Sequence, residues 1–246
     1  AWWNVKRKSH LYAEGFAPKS HRSLMQFLMV PANGPKEFAA YEPEFKKIYE
    51  YILSLEAPKY PFAIDQKLAS AGEKVFVSNC AECHGTYGKD GKYPNKNVAL
   101  DDIGTDPVRY QSLGPEAYEF YDRSWFNKTS NVSANKSPQG YVAPPLDGVW
   151  ATAPYFHNGA VPTLWHVLHS EKRPVVWKRS EDGFDQGRVG LEVEEMSSLP
   201  PEANTSVKKR YYFDTTKRSK GAGGHTYPDA LTEDEKSAVL EYLKTL

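Results

Sequence analysis

At 246 residues the chain suits one large domain or two small ones. Its 31 basic and 31 acidic side chains cancel, so net charge gives no argument for a nucleic-acid or membrane partner. No apolar run approaches the length of a bilayer crossing, and a soluble chain is expected. The opening Ala1-Trp2-Trp3 has neither an initiator Met nor a signal sequence and reads as a processed mature chain or an excised domain.

Hydrophobic content of 40% is low but sufficient for a core. With 6 Trp, 16 Tyr, 18 Pro and 17 Gly, the composition suits Pro-punctuated loops lining a flat, apolar cofactor. The basic clusters Lys6-Arg7-Lys8, Lys208-Lys209-Arg210 and Lys217-Arg218 read as solvated loop surface in a neutral chain.

Residues 1–31 hold Trp2, Trp3, His10, His21 and the apolar stretch from Leu24 to Val30. Residues 43–56 predict a helix with Phe45, Ile48, Tyr49, Ile52 and Leu53 on one side, ended by Pro58 and Pro61. Its Ile-Tyr-Glu-Tyr-Ile-Leu-Ser-Leu echoes the chain's last eight or so residues. Residues 1–61 are therefore set apart as an N-terminal helical extension, either the tail of a preceding unit that ended on a similar helix or a chance likeness, and 62–246 as the main domain.

From Asp65, which reads as an N-cap, to Asn79, the residues Leu68, Ala69, Gly72, Val75 and Phe76 mark one face of a helix. That helix runs into Cys80-Ala81-Glu82-Cys83-His84, which contains the chain's two cysteines. Cys-x-x-Cys followed at once by His is the c-type haem attachment sequence. Two thiols one helical turn apart reach two vinyl groups on one porphyrin edge, and the adjacent imidazole rises to the iron. A zinc site would need a second ligand pair, a thioredoxin-like pair would need a βαβ setting, and a disulfide across three positions is geometrically poor.

Between Gly85 and Gly224 regular periodicity is hard to find, and short helices are expected at 107–113, 115–123 and 162–169. Thr232-Glu233-Asp234-Glu235 is a capping box opening a terminal helix with Val239, Tyr242, Leu243 and Leu246 inward. A helix leading into the motif and a terminal helix crossing it point to a mainly α, class I cytochrome c-like fold, with Gly72 against Tyr242 at the crossing.

Several stretches carry a resemblance. They are Cys80 to Gly88, Tyr93-Pro94-Asn95, Ile103-Gly104-Thr105-Asp106-Pro107, and the run from Ala143-Pro144-Pro145 through Tyr155-Phe156-His157-Asn158-Gly159 to Leu164. Together they resemble the C-terminal haem domain of the rubber-oxygenase branch of the bacterial dihaem cytochrome c peroxidase relatives, over roughly residues 60–246. The resemblance implies an α-helical cytochrome c fold, covalent haem and a periplasmic or secreted location. Those enzymes carry two attachment motifs, one haem for chemistry and one for electron relay. This chain has one, and it matches the relay haem.

His84 leaves the opposite face of the iron to be filled. His225 in Gly221-Ala222-Gly223-Gly224-His225-Thr226-Tyr227 is the leading candidate, because flanking glycines let the backbone approach a bulky planar group. In the resembling proteins a Gly-His-x-Tyr element at this place supplies the distal ligand. His157 is a further candidate, as ligand or as a group supporting the haem. Met196 is another, while His166 and His169 read as packing or surface residues, and His10, His21, Met25 and Met29 are more distant candidates. Trp150, Tyr155, Phe156 and Trp165 are candidate pocket or core aromatics.

One motif with a distal His predicts a six-coordinate, bis-His, low-potential electron-transfer cytochrome serving a redox partner protein or an attached redox or catalytic domain. The alternatives are a haem peroxidase or oxygenase related to the dihaem enzymes, or the relay half of one, and a module whose haem is only structural.

Overall fold

Residues 1–128 and 138–246 are described in the computed structural model. The N-terminal segment opens with a 3-10 turn at Trp2–Arg7 and a two-residue antiparallel pair, β1 (His10–Leu11) with β2 (Ala17–Pro18). Ser20 then caps α1 (His21–Met25) by accepting the Ser23 N–H. The helix expected over 43–56 is α2, Pro35–Ser54, and it begins earlier. Pro35 occupies its first turn, where no N–H is needed, and the Glu37 carboxylate accepts the Gly34 N–H at 2.8 Å. Pro43, which marked the expected start, lies inside it.

Ile52 packs with Val5 and Leu11 in one small core, and Phe38 with Met25 and Phe126 in another. The Arg22 guanidinium and His21 Nε2 both bond the Glu42 carboxylate, at 2.7 and 2.8 Å, and fasten α1 to α2. Trp3 Nε1 donates to the Asp147 carbonyl at 2.7 Å and Asn4 Nδ2 to the Pro145 carbonyl at 3.0 Å. The N-terminal turn is thereby fixed to the loop at 145–147.

α3 (Gln66–Asn79) starts where expected, with Asp65 Oδ1 accepting the Leu68 N–H at 2.9 Å. Its inward stripe is Ala69, Gly72 and Phe76. Leu68, expected inward, is 37% exposed because it lies one step off that stripe. α4 (Ala81–His84) is a single turn that follows directly. Next come β3 (Asn97–Ala99), α5 (Leu100–Ile103), α6 (Val108–Gln111), α7 (Pro115–Arg123) and α8 (Trp125–Lys128). β4 (Gly140–Val142) returns antiparallel to β3, with Tyr141 opposite Val98.

Thr163 caps α9 (Leu164–Leu168), inside the 162–169 segment expected to be helical. Beyond it β5 (Val176–Asp185) and β6 (Gly190–Met196) form a hairpin. α10 (Ser206–Lys209) and β7 (Phe213–Asp214) follow, and β7 completes a three-stranded antiparallel sheet in the order β6-β5-β7. The terminal helix α11 (Glu233–Leu243) opens on the Thr232–Glu235 capping box.

A mainly α, class I cytochrome c-like fold is therefore not what the chain adopts. About 43% of the described residues are helical beside 13% in strand. The missed sheet has a physical reason. β6 alternates half-buried Leu191 and Val193 with exposed Glu192 and Glu194, and β5 carries Lys178 to Glu181 at its centre, so both read as charged loop. The register also shifts between Arg179 and Phe184, which breaks the period of two.

α3 and α11 cross as expected, but on different contacts. A Cβ on Gly72 would lie 1.9 Å from the Ala238 carbonyl oxygen, so glycine there admits the α11 backbone rather than Tyr242. The Tyr242 ring packs on Phe76 instead, with centroids 5.3 Å apart. Phe76, Val161, Leu164, Val189 and Val239 anchor the main core built on this crossing.

Candidate functional site

Cys80 ends α3 and begins α4. The N–H groups of Cys83 and His84 both donate to its carbonyl, at 3.2 and 3.0 Å, winding the motif into one helical turn. Gly85, at φ +83°, then turns the chain away. Both thiols are unbridged, and burial pushes Cys80 up to about 11, the thiol form. Among the described residues no three His, Cys, Asp or Glu side chains cluster.

His84 Nδ1 lies 2.8 Å from the Pro144 carbonyl. A carbonyl only accepts, so Nδ1 carries the proton and Nε2 is left with its lone pair. Burial lowers the pKa of this imidazole, against the opposing pull of the Pro144 bond. Two tyrosines hold the carbonyl strand in place. Tyr87 donates to the His84 carbonyl at 3.0 Å and accepts the Leu146 N–H at 2.7 Å, and Tyr93 donates to the Ala143 carbonyl at 2.5 Å.

The His225 ring faces that of His84, with centroids 6.1 Å apart and planes at 68°. Imidazoles bound through nitrogen to opposite sides of one metal, each at about 2.0 Å, have centroids on the order of 6 Å apart. His225 Nδ1 is buried with no hydrogen-bond partner beyond its own backbone. Burial, then the proximity of His84 and Arg173, pushes its pKa down to about 3, so the ring is neutral and can donate a lone pair. Spacing, tautomer and neutrality all fit an iron held between the two rings, with Cys80 and Cys83 beside it to take the porphyrin edge.

The loop bearing His225 is built from several sides. Its N–H donates to the Ile103 carbonyl at 2.7 Å, Gly221 N–H donates to Asp106 Oδ2 at 3.1 Å, and Asn158 Nδ2 donates to the Gly221 carbonyl at 2.9 Å. Gly224, at φ +75°, stands so close to Gly104 that a Cβ would fall 2.2 Å from its carbonyl carbon. That glycine thus serves an approach between two backbones, a different reason from the one expected. His225 itself is left-handed at φ +48°. Phe156 and Tyr227 set their rings edge-on to it, at 6.0 and 5.7 Å.

The other candidates have contacts of their own. His157 stacks on Tyr141 at 4.1 Å, and burial lowers its pKa. Tyr155 is buried in the main core and donates to the Val149 carbonyl at 3.2 Å. Trp150 donates to the Pro58 carbonyl at 3.0 Å and sets its ring against Tyr60 and Phe184. His166 is fully buried with Nδ1 2.7 Å from Thr163 Oγ1, and His169 sits between the Trp165 carbonyl and Glu233. Met196 ends β6 opposite Val176, Met25 is core, His21 is tied to Glu42, and His10 Nδ1 lies 3.0 Å from Ser9 Oγ. Met29 packs beside the Met25 core. Among the described residues, His225 is the histidine whose ring faces His84. Pro144, Tyr87 and Tyr93 stood in the resembling stretches without a role of their own, and Arg173 carried no sequence signal.

Residues 140–178, which include the Pro144 carbonyl, Phe156, α9 and Arg173, match the family described as RoxA-like, cytochrome c-like. The expected resemblance to a haem domain of that kind holds over this segment, and the match implies a haem-binding cytochrome with haem c as its cofactor. Two relatives come from Sinorhizobium fredii. The uncharacterized protein y4iM is 29% identical over 80% of this chain and 53% of its own length. The uncharacterized protein y4iJ is 28% identical over 78% of this chain and 41% of its own length. The chain thus spans about half the length of these relatives, or less. No helix among the described residues is long and apolar enough to cross a membrane.

Proposed function

We propose that the protein is a c-type cytochrome that carries one haem, bound covalently by Cys80 and Cys83, with His84 and His225 as the axial ligands of its iron. The observation that carries this reading is the pair of facing imidazoles at 6.1 Å, one with its Nδ1 proton committed to Pro144. A haem c held there supplies one-electron exchange, and bis-His ligation sets it at a lower potential than Met/His ligation. The chain's own residues fix the imidazole orientations and commit the His84 proton to a carbonyl. They also shield the distal ring with Phe156 and Tyr227. The partner is a redox protein, or a redox or catalytic domain attached to this one. A periplasmic or secreted location accords with the extracytoplasmic habit of cytochrome c-like domains.

Visible and EPR spectra of the ferric protein test the reading. The wild type should be six-coordinate and low-spin, and His225→Ala should convert it to high-spin. A high-spin, five-coordinate wild type would overturn the reading in favour of peroxide or oxygen chemistry. Replacing both Cys80 and Cys83 by Ala should leave the haem extractable by acidified organic solvent.

A further inference from the structure

Arg173 sits just past α9, about fifty positions before the distal histidine, yet its side chain reaches the loop that carries it. Nη1 donates to the Ala222 carbonyl at 2.8 Å and to the Gly224 carbonyl at 2.6 Å. Nη2 reaches the carbonyls of His225 and Val167, both at 3.3 Å, and Nε donates to the His166 carbonyl at 3.0 Å. Each of these acceptors is a backbone carbonyl. Three belong to the distal loop and two to α9, so one planar fork spans both. The cation also lies over the Phe156 ring at 4.9 Å, and Phe156 stands edge-on to His225.

We propose that Arg173 is the positioning residue of the distal ligand, holding the 222–225 backbone in the conformation that turns His225 toward His84. The inference rests on the ligation proposed above. The loop needs such a hold. Gly224 and His225 are consecutive left-handed residues, and a non-glycine residue prefers other backbone regions. The carbonyls of both are oriented by the same guanidinium. Without it the loop keeps the Ile103 and Asp106 bonds, which fix the His225 and Gly221 N–H groups and leave these two carbonyls free. A lysine in its place keeps the charge but not the fork, so it restores the hold in part.

The test uses cyanide as a competing probe for the distal face of the full-length ferric protein. Apparent cyanide affinity scales with the fraction of molecules whose distal ligand is off the iron. Wild type, Arg173→Lys, Arg173→Gln and His225→Ala are titrated, and their ferric spectra are recorded. Arg173→Gln should bind cyanide about tenfold more tightly than wild type, or better, and show a new high-spin fraction. Arg173→Lys should fall between the two, with His225→Ala as the limit. If Arg173→Gln only melts at lower temperature, with cyanide affinity and spin state unchanged, the residue is merely structural and the proposal is overturned. If Arg173→Gln yields no folded haem protein, Arg173→Lys decides, and wild-type cyanide affinity in that variant overturns it. If instead His225→Ala matches wild type, the ligation reading itself has failed.

Discussion

The Nδ1–H of His84 finds its acceptor in the carbonyl of Pro144, sixty positions later. His84 stood out in the sequence because a side chain with a fixed spacing to two thiols has a signature. The acceptor did not, because a backbone carbonyl looks the same at every residue. Arg173 was illegible for a related reason, since all its named acceptors are main-chain atoms. His225 stood out in the sequence by its glycine neighbours, although one of those glycines proves to serve contact with Gly104. Gly72 offers a test at this scale. Its Cβ would lie 1.9 Å from the Ala238 oxygen, so Gly72→Ala should force α3 and α11 apart. We expect a loss of about 1–3 kcal/mol in urea denaturation. Exposed Ser70→Ala on the same helix should change stability by less than about 0.5 kcal/mol.

Among the elements, α3 and α11 were readable from end to end, because each combines a capping residue with a buried stripe. α2 was half readable. Its first two turns bury only Phe38, too little apolar content to reveal a period, and Pro43 suggested a start where there is none. The β5–β6 hairpin could not be read, since its central residues are charged and its register slips. Capping should be measurable where it was legible. Thr232→Ala removes the acceptor for the Glu235 N–H and should cost about 1 kcal/mol in thermal or denaturant unfolding. The α1–α2 fastening gives a pH dependence. Hydrogen bonds from Arg22, then His21, hold Glu42 at about 2, below its usual 4.5. A carboxylate depressed in the folded state adds stability above its unfolded pKa, and this is lost as pH falls from 4.5 toward 2. Glu42→Gln should therefore be less stable at pH 7, by about 1 kcal/mol, and should flatten the acid limb of the stability curve.

At the scale of the whole molecule, the Cys80–His84 turn and His225 could be picked out from local sequence, whereas the mainly α fold class expected from it is not the one the chain adopts. Local motifs announce chemistry, whereas architecture depends on pairings between segments whose patterns are individually weak. The N-terminal segment illustrates this. Its Trp3 and Asn4 bond the loop at 145–147, beside the carbonyl that orients His84. Nothing in residues 1–31 announces that contact.

His84 and His225 stand about 140 positions apart in the chain. Under the proposed ligation the iron is therefore a cross-link, covalently rooted at one end and coordinately closed at the other, around a loop of more than half the protein. By chain-entropy reckoning, closing a loop of that size removes about 4–5 kcal/mol of freedom from the unfolded ensemble. The clasp opens by ligand exchange rather than by thiol chemistry. His225→Ala should then lower the guanidinium midpoint, followed by far-UV circular dichroism, even though the haem stays bound to its cysteines. An electron carrier built this way draws mechanical integrity from the same bond that tunes its potential.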